Sequence, residues 1–140
     1  MDELQLKLCD IQGRLFELSA DKNYGSENFV KTFMISDVAK ALDSTYNRMQ
    51  WAGEEYLLEE LVAISGDKIT TEGDVYSKDI LYWMGYIYRY WHYYTHEDSA
   101  KIYKKAPVGT MKRNYRMFHT MAPELAIEDL KEISRQKNKY

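Results

Sequence analysis

The chain is expected to fold as an all-α domain, a compact bundle of five to seven helices around one central aromatic helix at about residues 78–95. Three observations predict this. Only two prolines and seven glycines interrupt 140 residues. Apolar side chains recur at three- and four-residue intervals almost throughout, the spacing that puts them on one face of a helix. Six of the thirteen tyrosines and two of the three tryptophans crowd into Tyr82–Tyr94. That much ring area makes either the spine of a core or a recognition surface.

Leu4, Leu8, Ile11, Leu15 and Leu18 mark a first amphipathic helix that ends near Asn23-Tyr24-Gly25. Ser26 is the candidate N-cap of a short helix through Phe29, Phe33 and Met34, and Ser36 or Asp37 of another carrying Val38, Ala41 and Leu42. A long helix is expected from about Tyr46 to Ile64, stopped by Ser65-Gly66 and packed against the aromatic helix. The polar stretch 66–76 reads as a loop with a possible turn of strand at Val75-Tyr76. Ser77 opens the aromatic helix, which ends near Thr95-His96. Asp98 or Ser99 caps Lys101–Lys105, Pro107-Val108-Gly109 breaks the chain, and Thr110 starts a helix to about His119. Pro123 suits the first position of a last helix. A basic tail at about 136–140 completes a single domain, residues 1–140.

At 100° per residue, Ile80, Trp83, Met84, Ile87, Tyr90, Trp91 and Tyr94 share one face of the aromatic helix. Tyr82, Tyr86, Arg89 and Tyr93 form a second stripe roughly opposite. A helix apolar all round is a central one. Arg89 then needs a carboxylate inside the fold, with Glu54 the first candidate and Glu60 the second. Glu54, Glu60, Arg48, Arg89 and Tyr86 are the expected members of this buried polar network, which reads as a core device or as the lining of a pocket.

Composition narrows the class. With 45% hydrophobic and 29% charged residues the chain is a folded globular protein. The longest stretch without a charge is Ile80–Tyr88, well short of the ~20 residues of a membrane span. The acidic start Met1-Asp2-Glu3-Leu4 is unlike a signal peptide, and Cys9 is the only cysteine, so the expected setting is the cytoplasm. Charge is segregated: residues 43–79 hold nine acids against three bases, whereas residues 99–123 hold six bases and no acid.

Glu54, Glu55 and Glu59 invite comparison with helical, metal-dependent nucleoside-triphosphate pyrophosphohydrolases, which use paired glutamates on one helix and acids on the next. The Glu-Glu-x-x-x-Glu spacing is one residue too long, and the next helix offers tyrosines where the acids belong. His92 and His96 are four apart, the spacing of two metal ligands on a helix, with no further ligand beside them. Cys9 has no basic neighbour to activate it. No cofactor is implied. The segment 101–119 alternates bases with aromatics, as phosphate contact and base stacking require. Nucleotide or nucleic-acid binding there is therefore an alternative, as is a divergent pyrophosphohydrolase.

Three stretches, Asn47–Glu60, Tyr82–Thr95 and Asn114–Ala126, together resemble a group of small uncharacterised proteins of low-GC Gram-positive bacteria. The genes of that group lie beside toxin–antitoxin-type modules, including predicted ADP-ribosyltransferase-like toxins. The resemblance covers roughly residues 40–130 and carries no assigned catalytic or binding residues. It implies an antitoxin-like role. The expected function is thus a non-enzymatic, cytoplasmic protein-interaction domain that neutralises a partner protein, such as a neighbouring toxin. Lys104, Lys105, Lys112, Arg113, Arg116, Tyr103 and Tyr115 are the expected contact residues. The sequence leaves a homo-oligomer open; nucleic acid is the weaker partner class.

Overall fold

Three short polar side chains start three helices by accepting from backbone N–H groups that a first turn leaves free. Ser36 Oγ accepts from Ala39 at 3.2 Å, Ser77 Oγ from Ile80 at 3.4 Å, and Asp98 Oδ1 from Lys101 at 2.9 Å. Each such cap contributes about 1 kcal/mol. The computed structural model describes residues 1–45 and 47–138. Among them it has eight α-helices and no strand: α1 (Glu3–Asp21), α2 (Ser26–Met34), α3 (Asp37–Asp43), α4 (Glu54–Ser65), α5 (Lys78–Thr95), α6 (Ser99–Lys105), α7 (Val108–Phe118) and α8 (Pro123–Asn138). That is one helix beyond the expected five to seven. None of the helices is long and apolar enough to cross a membrane.

The α5 helix is central, touching α1, α6, α7 and α8, and its contact with α1 is the most extensive in the molecule. Leu81, Trp83, Met84, Ile87, Tyr88, Tyr90 and Trp91 are buried along it, whereas Tyr94, expected on its inner face, is 41% exposed. Glycine permits the α1–α5 approach. A Cβ on Gly85 would overlap the Gln12 carbonyl and lie 2.9 Å from the Gly13 Cα. Behind this crossing Phe16 packs edge-on against Phe29 at 5.5 Å and Phe33 at 5.4 Å, drawing α2 onto α1. Each ring fully buried there contributes about 1.5–3 kcal/mol of transfer free energy.

The expected long helix is broken. Asn47 Oδ1 accepts from the Met49 N–H at 2.9 Å and starts a 3-10 turn, Arg48–Trp51, instead of α-helix. Gln50 ties that turn to the Leu42 and Ser44 carbonyls at the end of α3. Gly53 is extended (φ −80°, ψ 170°) and caps α4 rather than lying inside a helix. Tyr46, where that helix was expected to begin, lies outside the described residues. Moreover α4 packs on α1 and α3, not chiefly on α5.

The segment 69–76 is irregular and pinned to the start of α2. Gly25 N donates to Thr70 O and Ser26 N to Asp74 O, both at 2.9 Å. Tyr76 N donates to Ser26 Oγ at 2.9 Å. Ser26 therefore holds the loop rather than capping its own helix, whose N-cap is Gly25. At the other end α8 continues to Asn138, so residues 136–138 are helix and not tail; Lys139 and Tyr140 lie outside the described residues.

Candidate functional site

Arg89 is completely buried at the centre of α5, and its guanidinium is satisfied on three sides. Nε donates to Gln12 Oε1 at 2.8 Å, Nη1 to Asp43 Oδ1 at 2.6 Å, and Nη2 to Ser99 Oγ at 3.4 Å. Asp43 also accepts from Ser99 N and Ser99 Oγ, each at 2.8 Å. Asp43 ends α3, where the helix dipole disfavours an anion, and Ser99 begins α6, where an anion is favoured. The cluster thus joins α1, α3, α5 and α6 and holds these helices together.

The expected carboxylates do not reach Arg89. Glu54 and Glu60 are half-buried on α4, which docks elsewhere, and Arg48 is exposed. Tyr86 is half-buried on α5, stacked on Tyr90 at 6.2 Å, with burial raising its pKa above the ordinary value. Gln12 was the overlooked signal, a polar residue among Leu8, Ile11 and Leu15 on the apolar face of α1. Nothing in the local sequence distinguishes Asp43 from a solvated helix-end acid.

Glu54 and Glu55, in the first turn of α4, line an open depression with Asp10, Arg14, Glu17, Asp21 and Lys78. Among the described residues no group of three or more His, Cys, Asp or Glu side chains is arranged to hold a metal ion. The two histidines diverge because α5 ends between them. His92 Nδ1 lies 2.6 Å from the Glu97 carbonyl, and His96 is the left-handed C-cap at φ 64°. Cys9 is buried, and desolvation pushes its thiol up to about 12.

The basic segment is mostly surface. Lys104 and Arg116 are exposed and make no ion pair among the described residues; Lys105 pairs with Glu97. Lys112 stands 4.4 Å from the Tyr76 ring centroid, and Arg113 donates to Thr110 Oγ1 at 3.4 Å. The two aromatics of the expected patch are not surplus to the core. Tyr103 packs on Tyr88 at 6.3 Å, and Tyr115 packs edge-on to Trp83 at 5.7 Å and stacks on His119 at 4.4 Å. They also line different cavities. Met117, beside Arg116, is 71% exposed.

A groove of about 550 Å³ runs between α1, α5 and the turn from α7 to α8. Glu17, Asp79, Tyr82, Trp83, Tyr86, Ile87, Tyr115, His119, Met121 and Pro123 line it. Burial holds the Glu17 carboxyl above the usual range; Lys78 and Arg14 pull it back, while Asp10 and Asp79 add repulsion. No single stretch of sequence signals this groove, since its walls come from three distant segments.

No protein-family model, curated protein or solved structure matches the chain.

Proposed function

We propose that the protein is a cytoplasmic, antitoxin-like interaction domain that binds and neutralises a partner protein and performs no chemistry of its own. One observation carries the reading. Of the six cations between Lys101 and Arg116 only Lys105 meets a carboxylate, and no ion pair joins this segment to the acidic stretch 43–79 among the described residues. A field left uncancelled within the fold acts outward, and steers an oppositely charged partner. Arg116 and Met117 then supply a cation and an apolar contact side by side on α7. The buried ionisable groups support the same reading, because Arg89 and Asp43 are used up in holding helices together.

The test is co-expression with each neighbouring gene product, scoring growth rescue and co-purification. A toxic neighbour is expected to be neutralised and to co-purify. Lys104→Glu with Arg116→Glu should slow association, and added salt should slow it for the parent protein. If no neighbour is toxic and none co-purifies, the antitoxin reading fails. Binding of RNA or DNA that collapses with salt would replace it with the nucleic-acid alternative.

A further inference from the structure

The basic face leaves the aromatic groove unassigned. Tyr82, Trp83 and Tyr86 from α5 and Tyr115 from α7 form its walls, and Glu17 and Asp79 stand on it. The two cations that act on Glu17 are each paired with another carboxylate, Lys78 Nζ with Asp21 at 2.5 Å and Arg14 Nε with Asp10 at 2.9 Å. The carboxylates of Glu17 and Asp79 make no hydrogen bond or ion pair among the described residues. Aromatic lining and carboxylates without an ion pair both favour a cationic occupant.

Two further facts narrow it. The groove is open along one side, whereas a free small molecule is normally held by burying about 70–90% of its surface. A side chain projecting from another protein is covered on that open side by the protein carrying it. A guanidinium, moreover, is planar, stacks on a ring and presents its N–H donors as a fork to carboxylates, whereas an ammonium is a more strongly hydrated point charge. We infer that this groove receives an arginine side chain of a partner protein, with the guanidinium between Glu17 and Asp79 and the stem along Trp83 and Tyr86. The inference rests on the partner-binding reading and deepens it. The partner would present an acidic patch to α7 and an arginine to the groove, and two contacts of opposite sign fix one docking register.

The experiment needs no partner. The isotope-labelled protein is titrated with the capped tripeptide acetyl-Ala-Arg-Ala-amide and, separately, with the same peptide carrying citrulline, which has the shape of arginine without its charge. The arginine peptide is expected to shift the Trp83 indole and His119 amide signals with millimolar affinity, and the citrulline peptide to bind at least about tenfold more weakly, a difference of about 1.4 kcal/mol. Glu17→Gln with Asp79→Asn, checked for unchanged circular dichroism, should lose a similar factor. Equal binding of the two peptides, or no shift from the arginine peptide at tens of millimolar, overturns the inference. So does a co-purified partner whose affinity is unchanged by the double substitution, a result that leaves the partner-binding reading intact. Arginine binding without any co-purifying neighbour would instead sink the antitoxin reading and keep the groove.

Discussion

Arg89 Nη1 lies 2.6 Å from Asp43 Oδ1, with the guanidinium fully buried and the carboxylate side chain only 10% exposed. Removing one member leaves the other charged in a low-dielectric interior. Arg89→Met or Asp43→Asn alone should therefore lower unfolding stability by about 3–5 kcal/mol, against under about 1 for an exposed pair. The double variant should cost less than the sum, because neither charge is then stranded. Denaturant unfolding of the three proteins measures this, and additive effects near zero would contradict the buried pairing.

Gly85→Ala should destabilise the fold by about 1–3 kcal/mol or more, since the added methyl meets Gln12 and Gly13 backbone that cannot swing aside. Gly53→Ala meets nothing within 4 Å and should change stability by less than about 1 kcal/mol. Thermal melts of both variants check the contrast. Similar losses would mean that α1 and α5 are not in backbone contact.

How much of this was legible depended on how far along the chain each cause acts. Ser77 and Asp98 announce their helices because a cap acts within three residues. Burial of Arg89 follows from its place among eight rings on one helix. Its partner does not follow, because the choice between Glu54 and Asp43 is made by α4 docking on α1, a tertiary event with no local mark. The same holds for the groove, whose Trp83–Tyr115 contact joins residues that no periodicity relates. The contact patch expected from 101–119 draws on residues with two different surroundings. Its cations are exposed, but Tyr103 and Tyr115 serve the core as well.

Alkali should unfold the protein through its tyrosines. Burial, the largest cause in each case, pushes Tyr76 and Tyr93 up to about 12 and raises Tyr82, Tyr88 and Tyr90 as well. These phenols hold their protons more tightly folded than unfolded. The stability they contribute is complete below the unfolded value near 10 and is lost as pH rises from there through the folded values. A near-ultraviolet tyrosinate titration should show a cooperative step at alkaline pH that coincides with loss of helix. A single smooth transition with helix retained would be the contrary result.

Cys9 should be silent toward thiol reagents at neutral pH. Its side chain is wholly buried and its thiolate is disfavoured by desolvation, so reaction requires opening of the fold. Labelling should be slow in buffer and fast in denaturant, and Gly85→Ala should accelerate it. Prompt labelling of the folded protein would show α1 mobile on its seat.

The Gln12–Gly85 contact spans 73 positions of the chain, which sets an order of events during synthesis. At about 5–20 residues per second, α1 waits roughly 4–15 s on the ribosome before its partner helix has been made. Through that interval Leu8, Ile11 and Leu15 have no α5 to cover them. The nascent protein therefore passes through a window in which its first helix is open to chaperones, and the groove walled by α5 and α7 forms only after both helices have been made.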